Sequence, residues 1–240
     1  MDTENNDYPI QNAIKEGKIN LAKQLITENP KHLYQKDSDE RTPLHWAVSA
    51  NNIDLVKFII SCSPDTNIDE YVDLSGWSPL HIASSIGNIE ILNLFMHMNN
   101  PPDINSKTDL GTTPLHLAIS KNHLNYVRTL INEFNANCKT KDKKGYTPLI
   151  RASSIGSIPI IQELLQKKVP VNAKDNDGWT SLHHALAEGH GDVAVYLVEK
   201  GGADPNILNN EDLKPIQVSV DEKVGRYFKD HIDAKIREIE

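Results

Sequence analysis

Residues 180–192, T-S-L-H-H-A-L-A-E-G-H-G-D, bring His183, His184 and His190 close in sequence to Glu188 and Asp192. Imidazole and carboxylate groups are what a zinc site or an acid–base pair requires, and ligands about one helical turn apart can face one ion. The spacing argues against such a site, because neither an H-E-x-x-H pattern nor a cysteine-rich one is present. The chain also has no G-x-S-x-G, no P-loop and no G-x-G-x-x-G; Gly189 and Gly191 make only a bare G-x-G. Cys62 and Cys138 lack a local nucleophile signature and read as packing or incidental residues. The expectation is a non-enzyme with no catalytic residue, no metal and no cofactor. A hydrolase built around His183, His184 and Glu188 is the enzymatic alternative.

The elements that would position these groups recur along the chain. R-T-P-L-H-W-A at 41–47 returns as W-S-P-L-H-I-A from Trp77, T-T-P-L-H-L-A from Thr112, Y-T-P-L-I-R-A from Tyr146 and W-T-S-L-H-H-A from Trp179. Weaker copies start at Tyr8 and Lys214. The anchors Pro9, Pro43, Pro79, Pro114, Pro148, Ser181 and Pro215 are separated by 34, 36, 35, 34, 33 and 34 residues. One unit therefore accounts for the whole chain.

Each unit repeats the same physical grammar. Thr42, Ser78, Thr113 and Thr147 are N-cap residues, and the Pro that follows takes the first helical position, where its missing N–H costs nothing. Ahead of the caps, Asp37, Asp73, Asp142 and Asp175, with Gly76, Gly111, Gly145 and Gly178, carry turn chemistry and predict a hairpin-like loop before each first helix. Apolar residues at helical period over 53–60, 89–96, 124–131 and 158–165 predict a second helix. Neither helix is long enough to stand alone, so the units must stack. The end units read as caps: the first lacks the Thr cap and the Gly loop. The last keeps Pro215 and continues into Val224, Phe228, Ile232, Ile236 and Ile239 at helical spacing, with a charged outer face.

Composition narrows the function classes. The 240 residues are 38% hydrophobic and 24% charged with a net charge of −8, an ordinary globular balance that argues against nucleic acid and favours a partner with a basic surface. The N-terminal stretch M-D-T-E-N-N-D-Y-P-I has no secretory pattern, and the apolar runs are far too short to span a membrane. With two cysteines, a reducing compartment is expected, the cytoplasm and nucleus.

The loop, the helix pair and the T-P-L-H-x-A motif resemble the ankyrin repeat over essentially the whole chain. The resemblance implies an all-α ankyrin-repeat solenoid, one domain over 1–240. Its seven loop–helix–helix units fall near 3–36, 37–72, 73–107, 108–141, 142–174, 175–208 and 209–240, with degenerate caps at both ends. It also implies that His183, in register with His45, His81 and His116, is a scaffold residue tying its helix start to neighbouring backbone, and that His190 belongs to a Gly-His turn. Only His184 and Glu188 then stand out, and Gly191 replaces the usual apolar residue. Ankyrin stacks bind proteins through loop tips and the exposed side of the first helices. Trp77, Tyr146 and Trp179 share one such position, and charges at Asp39, Arg41, Lys121 and Glu188 line it.

D-S-D-E-R-T-P-L-H-W-A-V-S-A from Asp37, S-G-W-S-P-L-H-I-A-S-S-I-G-N from Ser75 and L-H-L-A-I-S-K-N from Leu115 closely resemble the gankyrin family of proteasome-assembly chaperones. Residues 182–200 look most like its fungal members. The resemblance implies a monomer whose groove holds the C-terminal domain of one AAA-ATPase subunit of the regulatory-particle base and obstructs premature docking on the core particle. Positions matching family contacts are Asp39, Arg41, Trp46, Asp73, Trp77, Lys121, Arg151 and Glu188, and a longer loop ahead of Asp73 bears on the register there. The other reading is an ankyrin inhibitor or adaptor of a kinase or transcription factor. No nucleic-acid or membrane partner is expected.

Overall fold

A computed structural model describes residues 8–239, with side chains described to residue 233. The first seven residues of the N-terminal stretch, and the side chains of Ile236 and Ile239, lie outside the described part. Every regular element among the described residues is helical. In chain order the α-helices are α1 (Pro9–Lys15), α2 (Ile19–Glu28), α3 (Pro43–Ser49), α4 (Ile53–Cys62), α5 (Pro79–Ile86), α6 (Ile89–Met96), α7 (Pro114–Ser120), α8 (Leu124–Asn132), α9 (Pro148–Ser154), α10 (Ile158–Gln166), α11 (Ser181–Ala187), α12 (Gly191–Glu199) and α13 (Glu222–Ile239). Short 3-10 turns cover Pro30–Tyr34, Ile68–Glu70 and Pro215–Val218. The chain clusters into two compact units, Met1–Leu117 and Ala118–Glu240, and the boundary falls inside α7.

In the first unit, α1, α3 and α5 pack side by side, and so do α2, α4 and α6 behind them. Ile10, Ile14, Leu44, Val48, Leu80 and Ala83 of the first row meet Ile26, Leu55, Ile59, Ile91, Leu92 and Phe95 of the second, all buried. The second unit repeats the arrangement with α9 against α11, α8 against α10, and α12 against α13. Its core is Tyr126, Leu130, Leu149, Ile160, Ile161, Leu164, Leu182, Leu186, Val193 and Leu197. Phe228 of α13 is buried while Glu222, Arg226, Lys229 and Asp230 are exposed, the charged outer face expected of a cap. Gly191 has a packing reason: a Cβ there would come within 2.9 Å of the Tyr227 ring, so the small residue lets the cap helix close on α12.

Buried histidines clasp the units together. Nε2 of His45 lies 3.0 Å from the carbonyl of Trp77, that of His81 3.1 Å from Ser106 and that of His183 3.1 Å from Leu213. A carbonyl can only accept, so Nε2 carries the proton. Nδ1 then accepts from the cap residue, for His45 the Thr42 N–H at 3.1 Å and its hydroxyl at 2.9 Å. Burial lowers the pKa of all three, His81 to about 4, so the clasps are neutral at physiological pH. In the end units glutamine fills the same register and does half the work. Gln11 donates to the Gln35 carbonyl at 2.8 Å, while Gln217 accepts from the Lys214 N–H at 2.8 Å.

The longer loop leaves the register at Asp73 intact. Its extra residues fold into the 3-10 turn at Ile68–Glu70, which buries Ile68 beside Leu33, Leu44 and Ile59. The loop from Asp73 then closes like the others, with its N–H on the Trp77 carbonyl at 3.0 Å.

Candidate functional site

Five of the loops are built around one carboxylate or amide oxygen, and the loop at Thr108 uses a hydroxyl, which accepts from the Thr112 N–H at 3.2 Å. Oδ1 of Asp37, Asp73, Asp142 and Asp175 accepts two backbone N–H groups, two and four residues on, at 2.8–3.0 Å. Asn209 does the same at 2.9 Å. The glycine that turns the loop is confined twice over. Gly76 sits at φ +73, and a Cβ on it would come within 2.7 Å of the Asp109 backbone nitrogen in the next loop. Tips that close on each other this tightly are firm ground for presenting side chains.

The second oxygen of Asp37, Asp142 and Asp175 takes a donor from the first helix, that of Asp73 takes one from the loop before, and these oxygens organise the candidate site. In the first unit, Asp37 Oδ2 accepts from the Trp46 indole at 2.8 Å, and Lys15 lies 4.0 Å over the Trp46 ring. Arg41 spans to the next loop, where its Nε and Nη2 donate to Asp73 Oδ2 at 3.1 and 2.9 Å. Burial pushes the Asp73 carboxyl up, yet the N–H groups of Trp77 and Ser75 and the Arg41 guanidinium together hold it below the usual carboxylate range. The structure therefore brings Arg41, Trp46 and Asp73 into one network. Trp77 is half-buried, its ring 6.4 Å from that of His81. Asp39 is exposed at its tip, and its carboxylate makes no hydrogen bond or ion pair among the described residues.

In the second unit, Asp142 Oδ2 accepts from Arg151 at 3.0 Å, and the guanidinium lies 5.0 Å over the Tyr146 ring. Asp175 Oδ2 meets His184 Nε2 at 2.7 Å. The His184 ring is bracketed by Tyr146 at 4.9 Å and Trp179 at 5.2 Å. Burial, then the Asp175 charge, pushes the Tyr146 phenol above its ordinary range. Tyr146, Arg151 and Trp179 thus form a continuous half-buried layer. Lys121 and Glu188 are exposed at helix ends and form no ion pair among the described residues.

His184 is not idiosyncratic. It occupies the helix position of Trp46 and Arg151, three residues past the anchor, and all three donate to the aspartate of their own loop. The sequence signal was a polar or indole donor at that register behind a loop aspartate. His183 is the clasp described above, and His190 donates Nε2–H to the Ser154 carbonyl at 3.1 Å. Each of the three histidines has an intramolecular partner. Among the described residues no group of three or more His, Cys, Asp or Glu side chains is placed to hold a metal.

Loop, helix pair and histidine clasp at one period define an ankyrin-repeat scaffold whose tips and first helices offer a candidate protein-binding face. A family model described as ankyrin repeats matches residues 1–70, 62–142 and 132–209. The probable 26S proteasome regulatory subunit p28 of Saccharomyces cerevisiae is 41% identical over 227 residues, 94% of this chain and 99% of the relative. An ankyrin repeat-containing protein of Schizosaccharomyces pombe is 37% identical over 210 residues, 86% of this chain and 88% of the relative. Among solved structures, the ankyrin repeat domain of Bcl-3, a member of the IkappaB protein family, superimposes with a TM-score of 0.73 at 24% identity. It covers 92% of this chain and 97% of that one, a likeness of fold. The chain belongs to the ankyrin-repeat family and, within it, to the family of the yeast p28 subunit, the gankyrin group to which its motifs point.

Proposed function

We propose that the chain is an assembly chaperone of the proteasome regulatory particle that holds the C-terminal domain of one base ATPase subunit against its loop tips and first helices. The bound chaperone would obstruct premature docking of the ATPase ring on the core particle and leave as assembly completes. The observation that carries this reading is the 41% identity, over 94% of this chain, with a probable 26S proteasome regulatory subunit. The face itself supports it: aromatic rings half-buried in polar networks, with exposed charges of both signs beside them, suit a folded protein partner. The cytoplasmic and nuclear location expected from the sequence goes with this role.

Titration calorimetry of the full chain against the isolated C-terminal domain of each base ATPase tests the proposal. One domain should bind and the others should not. Asp39→Lys and Glu188→Lys should each weaken binding roughly tenfold or more, because each turns a favourable charge pairing into repulsion. Both sites are exposed, so the melting temperature should hardly move. If no ATPase domain binds, the functional reading fails. If a domain binds and both reversals leave its affinity unchanged, the reading stands and the face is wrong.

A further inference from the structure

Leu74 and Leu110 are the two most exposed large apolar side chains among the described residues, at 62% and 70%. A single exposed leucine needs no explanation. These two sit on consecutive loop tips, at positions filled elsewhere by Ser38 and Asp39, Lys143 and Lys144, Asn176 and Asp177, or Asn210 and Glu211. The tips are joined through their backbones. The Leu74 N–H donates to the Asp39 carbonyl and the Asp109 N–H to the Ser75 carbonyl, both at 3.1 Å. The leucines are therefore held out on a ladder.

Two acidic side chains stand on these tips and the one before them. Asp39 and Asp109 are exposed, and neither carboxylate has a hydrogen bond or an ion pair among the described residues. Glu40, by contrast, is already matched by Lys36 at 3.3 Å. The backbone leaves little room for an added strand, because the N–H groups of Asp39, Leu74, Ser75 and Asp109 are all taken. What these tips chiefly offer is side chains, two of them apolar and two anionic.

We infer that the tips carrying Asp39, Leu74, Asp109 and Leu110 are an anchoring ridge for a basic amphipathic helix of the partner. Its apolar residues, one turn apart, lie across the two leucines, and its Lys or Arg side chains meet the two free carboxylates. This deepens the proposed function and rests on it. The leucines supply affinity by burial, and the aspartates supply orientation and a dependence on salt.

The test uses the full chain and the ATPase C-terminal domain that the wild type binds. Leu74→Ser with Leu110→Ser should raise Kd roughly tenfold to a hundredfold, with helix content, melting temperature and the slope of affinity against salt unchanged. Asp39→Asn with Asp109→Asn should flatten that salt slope. Leu21→Ser, at an exposed leucine of α2, should leave Kd unchanged. If the domain binds the leucine pair variant as it binds wild type, the ridge is overturned while the functional reading stands. If no domain binds the wild type, both fall. A wild-type dimer in sedimentation equilibrium that the leucine pair variant abolishes would give the ridge to a second copy of the chain and overturn the inference.

Discussion

Asp142→Asn isolates what the second loop oxygen does. Asparagine keeps an Oδ1 for the N–H groups of Lys144 and Tyr146, and Asn209 shows that this side chain can close the same loop. What it loses is the anionic Oδ2 that accepts from Arg151 at 3.0 Å. In its place an amide N–H₂ faces a guanidinium, donor against donor. A hydrogen bond between charged groups is worth about 1.5–3 kcal/mol, and breaking a fully buried pair costs about 3–5 kcal/mol. Here the aspartate side chain is 5% exposed and the arginine 28%, so the buried limit must be discounted for screening, and the expected loss is about 2 kcal/mol.

Arg151→Met strips the buried Asp142 Oδ2 of its donor, and two effects limit the loss to about 1–2 kcal/mol. It keeps an apolar stem beside Tyr146, and it removes an Nε that is buried without a partner. The double variant should then recover about 1–1.5 kcal/mol of the sum, the coupling between the two side chains. Urea unfolding of the four proteins, followed by far-UV circular dichroism, measures each quantity. A coupling within about 0.3 kcal/mol of zero would refute the claim that the carboxylate holds the guanidinium in place.

Stability should fall as pH drops from about 6.5 towards 4. The unfolded chain takes up protons on its histidines near 6.5, while burial keeps native His81 neutral down to about 4, which costs about 3 kcal/mol for that residue alone. His45 and His183 act in the same direction, so urea midpoints should decline across this window, less steeply in His81→Gln; a flat profile would contradict the neutral clasp. Glu40→Gly should stabilise by about 0.5–1 kcal/mol, because Glu40 sits at φ 59 where four of the other five loops place glycine and gives up only an exposed pair with Lys36. An unchanged or lower urea midpoint would show that the residue is not strained. Ile68→Ala should cost about 2–4 kcal/mol, since its fully buried side chain is what seats the inserted turn, and a loss under about 1 kcal/mol would mean that the turn is seated by its polar contacts instead.

The loop aspartate, its glycine, the capped helix and the clasp histidine could be read from the sequence because each contact lies at a fixed offset within a unit or reaches backbone in the next. Backbone is there whatever the sequence. The partner of Arg41 could not be read this way. Arg151 and His184 bond to the aspartate of their own loop, whereas Arg41 reaches forward to Asp73. The difference lies in a third residue. The α5 position equivalent to Trp46 is the apolar Ile82, so Asp73 Oδ2 has no donor from its own helix and is open to the unit before. Pairings that depend on three residues in two units leave no short motif. Gln11 and Gln217 fill the clasp register in the end units, and each makes only one half of the histidine's contacts.

These networks divide the candidate contact residues into two physical kinds. Arg41, Trp46, Asp73 and Arg151 are engaged inside the chain, so a partner carboxylate or ring that meets them must share or displace an existing bond. Sharing is possible for Arg41 and Arg151, since a guanidinium carries five donors and the bonds to the loop aspartates use two and one of them. Among the described residues the charged groups of Asp39, Lys121 and Glu188 have no hydrogen bond or ion pair, so a partner would meet them without displacing one. Reversing one of the free charges should therefore change affinity and its salt dependence while leaving unfolding untouched. Removing one of the engaged groups should move both together, because the face it helps to present is also part of what holds the loop on the helix. An affinity change at Arg151 with no change in stability would mean that its bond to Asp142 is not what places it.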